Sequence, residues 1–144
     1  MSKTIALVAC VSKKNIYPLP AGELYISPWF KKASTYAESI ADEWYILSAK
    51  YGLLSPTTII EPYDETLNNM PANERRSWAE KVLFDLRQKV DPSDNVVVLA
   101  SVKYREHLIA PLRNIGCEVE IPMEGLGIGK QLQWLSRHNR EGSN

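Results

Sequence analysis

The feature that most constrains this chain is the alternation of short apolar runs with segments of helical periodicity. Residues 5–10 form a nearly unbroken apolar run, residues 44–47 a second, and residues 95–100 the clearest third. Runs of this length with no polar alternation read as strands buried on both faces. Residues 117–121 alternate apolar with acidic side chains, so they read as a strand with one wet face at a sheet edge.

Helices are expected between these strands. Ser27 and Pro28 form a helix start, a side-chain cap followed by a residue with φ preset for the first turn. That helix is expected to run to about Ala41 and to bury Phe30, Ala33, Ala37 and Ile40. Residues 72–90 carry Ala79, Leu83, Leu86 and Val90 at helical spacing, with Trp78 and Val82 widening the stripe. Asp91 and Pro92 end it. Tyr104, Leu108, Leu112 and Ile115 give a third stripe, which Pro111 should kink or shorten. Ile128, Leu132 and Leu135 mark a last helix. The order β–α–β–α–β–α–β–α predicts a three-layer α/β sandwich around a four-stranded, mainly parallel sheet. One domain over residues 1–138 and a frayed polar tail over 139–144 are expected. Residues 53–71 are the long irregular stretch, of a length that is usually functional or conceals a short element.

Composition limits the function. The chain has 144 residues, 44% hydrophobic and 24% charged, with 17 basic and 17 acidic side chains and zero formal charge. A whole-molecule basic field for non-specific DNA binding is absent, so any nucleic-acid role needs a local basic site. Cys10 and Cys117 form no disulfide framework, and with His107 and His138 they show no metal-ligand spacing. No metal and no cofactor are expected. Two free thiols, the short first apolar run and the lack of a stretch of about 20 apolar residues predict a cytoplasmic protein with no membrane partner.

Open parallel sheets bind ligands beyond the carboxyl ends of their strands. Each strand exit here holds Ser or Gly together with Lys: Ser12 and Lys13 after Cys10, Ser48 and Lys50, Ser101 and Lys103, and Gly125, Gly127, Gly129 and Lys130. Hydroxyls, backbone N–H groups and ammonium charges gathered on one rim would hold an anion. Each segment alone has the composition of an ordinary loop. The weight lies in the fourfold recurrence. The glycine segment has neither dinucleotide-fingerprint nor Walker A spacing.

Glu61, Tyr63 and Asp64 follow in the long irregular stretch. Two carboxylates near lysines suit acid–base or electrostatic work, and a neighbouring Tyr suits stacking on a base. A surface turn with Tyr63 packed on the core is the competing reading. Tyr17, Tyr25 and Trp29 lie between the first strand and the first helix, where aromatics with a polar handle suit a wet cleft or a helix–sheet contact. Cys10 has Lys13 and Lys14 beside it but no adjacent His, which favours an inert strand-end thiol over a nucleophile.

Residues 48–56 (with Tyr51, Gly52, Leu53, Leu54 and Pro56) followed by Glu61, Pro62, Tyr63 and Asp64 resemble the signature of YaaA-type proteins. The opening at Cys10, Ser12, Lys13 and Lys14 is similar to that of small uncharacterised bacterial and phage domains, a likeness covering almost the whole chain. It is also similar to the uracil-DNA-glycosylase-like domain of archaeosine-forming tRNA enzymes. The resemblance implies a uracil-DNA-glycosylase-like architecture acting on nucleic acid, a nucleobase or a nucleotide. YaaA proteins are associated with DNA binding and oxidative stress. This chain is much shorter and lacks a recognisable helix-hairpin-helix, which points away from gripping duplex DNA and toward pocket chemistry. By motif position the resemblance picks out Ser12, Lys13, Ser48, Lys50, Tyr51, Glu61, Tyr63 and Asp64.

The expected function is processing of a nucleotide or nucleobase at an N-glycosidic bond, by hydrolysis or transfer. Glu61, Asp64 and Lys50 are the expected catalytic groups. Cys10, Ser12, Lys13, Ser48, Tyr51, Tyr63, Ser101, Gly127 and Lys130 are the expected ligand contacts. The rival is a non-catalytic module for nucleotides or single-stranded nucleic acid, and a third reading is a phage or stress accessory protein with a protein partner.

Overall fold

The computed structural model describes residues 2–9 and 17–142, with side chains to Asn139. The parallel strands are β1 (Thr4–Ala9), β3 (Glu43–Ser48), β6 (Asn95–Leu99) and β7 (Glu118–Glu120). A three-residue strand β4 (Gly52–Leu54) extends the sheet antiparallel to β3, so the sheet has five strands in the order β4-β3-β1-β6-β7. A second, two-residue ladder pairs β2 (Leu19–Pro20) with β5 (Ile59–Ile60). The mainly parallel sheet agrees with expectation and the strand count does not. Elements of two or three residues are too short to carry a period.

β1 lies at the centre. It pairs in parallel with β3 from Ile5 opposite Glu43 and with β6 from Thr4 opposite Asn95. Ile5, Ala6, Leu7, Val8 and Ala9 are all buried. Successive side chains point to opposite faces, so both faces of the sheet are covered. The helices α2 (Pro28–Ile40) and α6 (Ile128–Gly142) pack against each other. The helix α3 (Ala72–Leu86) packs on α4 (Val102–Arg105), and α5 (Ile109–Ile115) packs on β7. Among the described residues no helix is long and apolar enough to cross a membrane.

Local chemistry explains the helix ends. Ser27 Oγ accepts from Phe30 N at 3.2 Å, and Pro28 takes the first helical position. Phe30, Ala33 and Ala37 are buried as expected, but Ile40 is 38% exposed. The stripe around Pro111 divides into α4 and α5. Pro111 falls in the first turn of α5, where its missing N–H has no partner to lose. The last helix runs to Gly142, and Asn139 Nδ2 donates to Lys32 O at 3.1 Å.

The amino end of β1 is held by two carboxylates. Asp42 Oδ2 accepts from Thr4 N at 2.8 Å. Asp94, 0% exposed, accepts from Lys3 N at 3.0 Å and from Asp91 N at 2.8 Å. These backbone donors, first Asp91 and then Lys3, hold the Asp94 carboxyl below the usual carboxylate range. Nearby, Glu43 accepts from Tyr45 and pairs with Lys3 at 3.1 Å. Burial and then the Glu43 bond push the Tyr45 phenol up to about 12.

Because the folded Asp94 carboxyl titrates below its unfolded value, its contribution is present above the ordinary carboxylate pKa of about 3.9. It is lost as pH falls through the lowered folded value. Asp94→Asn leaves one of the two backbone donors without an acceptor. It should lower the unfolding midpoint at pH 7 and flatten the acid limb of a stability-against-pH curve measured by denaturant titration. Parallel curves for the two proteins would show that Asp94 does not anchor the strand.

Candidate functional site

The chain leaves β1 toward β3 on one side and leaves β6 toward β7 on the other. Beyond the carboxyl ends of β1 and β6 the connections therefore diverge, and a crevice opens at this switch point. A cleft of about 800 Å³ lies there, lined by Ala9 of β1, by Leu99 and Ala100 at the end of β6, and by the starts of α2 and α6. Its volume lies in the roughly 300–1,000 Å³ range of small-molecule sites. The walls are mainly apolar, with Ile121, Met123, Leu126 and Leu132 closing the β7 side.

The polar groups of the cleft are few and individually held. Trp29 Nε1 donates to Gln131 Oε1 at 2.8 Å, and Gln131 Nε2 donates to Leu126 O at 2.7 Å. This chain ties the start of α2 to the start of α6 and fixes the indole in the wall. Ser101 occupies the N-cap position of α4 with its side chain exposed and not engaged as a cap. Arg105, one turn on, donates from Nη1 to Ala100 O at 2.7 Å. Tyr104, on the same short helix, is buried, and its hydroxyl lies 3.5 Å from Thr66 Oγ1 and accepts from Leu67 N at 3.4 Å.

The structure divides the residues expected from sequence into four groups. Ser101 and Gly127 line the cleft. Ser48 does not. Its side chain is fully buried, with Oγ accepting from Tyr51 N at 3.0 Å and donating to the Tyr63 hydroxyl at 2.9 Å. Tyr63 is buried as well. Its hydroxyl meets that of Tyr25 at 2.5 Å, and its ring packs edge-on against Tyr51 at 5.7 Å. Gly52, at φ 78°, closes the turn that brings Ser48 opposite it in the β3–β4 ladder. Ser48, Tyr51 and Tyr63 thus form a packed support beneath the rim.

Lys50, Glu61, Asp64 and Lys130 are exposed, and none of them belongs to the cleft wall. Lys50 Nζ lies over the Tyr51 ring at 5.4 Å from its centroid. The parallel sheet does direct the exits to one edge, but long side chains on exposed turns follow the solvent rather than the crevice. Cys10, Ser12 and Lys13 lie outside the described residues.

Sequence reasoning offered Trp29 for a cleft but missed Arg105 and Gln131, the partner that holds the indole. Arg105 was legible as the cation four residues after Ser101, on the helix that follows β6. Gln131 carried no signal, because only the packing of α6 on α2 brings it to Trp29. The groups with shifted pKa that touch the sheet lie at its amino edge, away from the cleft. Lys3 is raised, mainly by its hydrogen bond to Glu43, and the Cys117 thiol is raised, mainly by burial.

Ser48→Ala removes an acceptor from Tyr51 N and a partner from Tyr63. It should destabilise the protein by about 1–3 kcal/mol in denaturant titration. A ligand bound in the cleft should keep its affinity. Unchanged stability together with lost binding would return Ser48 to a direct ligand role.

The chain was compared with known proteins. It is similar to the uncharacterized protein YfjM of Bacillus subtilis (strain 168), with 32% identity over 149 residues that take in 94% of each chain. No solved structure matches it. Residues 5–137 match a family of unknown function, DUF6884. With nearly the whole described sheet and its helices inside that match, the chain belongs to the DUF6884 family.

Proposed function

We propose that this protein binds a nucleotide or another nucleobase-containing ligand in the crevice between β1 and β6. The observation that carries the reading is the cleft itself, about 800 Å³ with apolar walls and a handful of held polar groups at the switch point of a mainly parallel sheet. An indole pinned by Gln131 offers a rigid face for a planar ring. Two longer helices, α2 and α6, begin at the cleft, and their first-turn N–H groups favour a negatively charged substituent. Exposed Val102 and Ile128 at the mouth extend the apolar surface outward.

A second reading adds turnover, cleavage or exchange of an N-glycosidic bond on a uracil-DNA-glycosylase-like scaffold. One observation favours it. The segment carrying Glu61 and Asp64 is anchored through Tyr63 to Ser48 and Tyr25, and through Leu67 to Tyr104, which lines the cleft. A carboxylate brought from this exposed turn to a bound ligand would orient water or stabilise an oxocarbenium-like transition state. The described lining of the cleft itself holds no carboxylate, so binding is the stronger reading.

The test is calorimetric titration with nucleosides, nucleoside monophosphates and short single-stranded DNA and RNA, with chromatography for released base. Saturable binding is expected, and Ser101→Trp, which fills the mouth from an exposed position, should weaken it by at least about tenfold without lowering the melting temperature. Base release that vanishes in Glu61→Gln or Asp64→Asn while affinity persists would establish the second reading. Absence of binding to every member of the panel would overturn the proposal.

A further inference from the structure

We propose that Arg105 is the anion-recognising group of the cleft and that Glu124 is its internal competitor, displaced when a phosphate enters. This inference rests on the reading that the cleft receives a ligand, and it names the chemistry of one part of that ligand.

Arg105 is placed and oriented for the role. Its side chain is 14% exposed, and the Nη1 bond to Ala100 O fixes the guanidinium against the end of β6. Among the described residues, Ala100 O is the hydrogen-bond partner of one of five N–H donors, and it carries no charge. Among the described residues the charge is faced by Glu124 alone, with Nη2 to Oε2 at 3.7 Å. That distance is an ion pair without a close hydrogen bond. The other nearby carboxylate, Glu106, pairs with Arg75 at 3.1 Å and with His107 at 3.3 Å.

Glu124 is built to leave. Its side chain is 65% exposed, so the pair is solvent-screened and weak. The next residue is Gly125 at φ 83°, with nothing within 4 Å of where a Cβ would stand. The space beside Glu124 is therefore open at Gly125. A phosphate in the cleft would offer the guanidinium fork two short charge-assisted bonds in place of one long ion pair. The exchange favours the phosphate. It also makes the site discriminate: a neutral ligand gains nothing from displacing Glu124.

The experiment titrates inorganic phosphate, a neutral nucleoside and its 5′-monophosphate into the protein and three variants. Arg105→Ala should weaken phosphate and the monophosphate by about 10- to 100-fold and leave the nucleoside within about twofold. Glu124→Ala should strengthen phosphate and the monophosphate by about two- to fivefold, with no gain for the nucleoside. Glu118→Ala, which removes an equal charge at the far edge of β7, should change none of them. Equal gains in Glu124→Ala and Glu118→Ala would reduce the effect to net charge and overturn the proposal, as would undiminished phosphate binding in Arg105→Ala. If Arg105→Ala fails to fold, Arg105→Lys, which keeps the charge and loses the fork, should still weaken phosphate. A nucleoside that binds nowhere removes the nucleobase reading, while the phosphate series still judges Arg105 and Glu124.

Discussion

The structure depends on the burial of β1 on both faces between β3 and β6. A strand in that position has every backbone donor and acceptor paired sideways and every side chain covered above or below. That requirement draws helices to both faces and makes the strand the axis from which connections leave in opposite directions. The two carboxylates at its amino end, Asp42 and Asp94, supply the acceptors that the sheet ladder cannot. The polar chemistry of the molecule is thereby divided by strand direction. Its amino edge holds tightly paired, internally satisfied charges, and its carboxyl edge holds the cleft.

The cleft follows from that axis. A crevice opens where neighbouring strands send their chains to different sides, and here it opens beside Ala9 and Ala100, small residues that leave room. The loops around it are secured by side chains remote from the opening. Ser48, Tyr25 and Tyr63 tie β3, the segment before α2 and the 61–67 segment into one support, and Trp78 Nε1 donates to Ser48 O at 2.8 Å. Hydroxyls that sequence alone offers as ligand donors are in this way consumed in positioning. Membership of the DUF6884 family and the likeness to YfjM extend over the same elements, so the cleft belongs to the part of the chain that the family shares.

Much of the fold was legible from residue pattern. The three apolar runs and the alternating segment 117–121 appear as the four parallel strands, each within a residue or so of its expected bounds where described. Ser27 and Pro28 start α2, and the stripe from Trp78 to Leu86 is buried. What escaped were β4, the β2–β5 ladder and the end of α3 at Leu86 rather than near Val90, each a matter of two to four residues, whereas the shortening of the stripe that holds Pro111 was expected. The candidate site was less legible. Ser101 and Gly127 reach the cleft, whereas Lys50, Lys130, Glu61 and Asp64 face solvent. Residue type at a strand exit indicates which edge a side chain occupies, but not whether it turns inward.

The sequence by itself determined the class of sheet, the direction of its strands and hence the edge at which a ligand site could form. Those properties arise from local periodicity and from the burial that apolar runs require. Only the tertiary structure decided which polar groups share the crevice. Arg105 meets Glu124, and Trp29 meets Gln131, across separations of 19 and 102 residues along the chain. Such meetings depend on how α2 and α6 pack and how the turn after β7 folds back, and no local pattern encodes them.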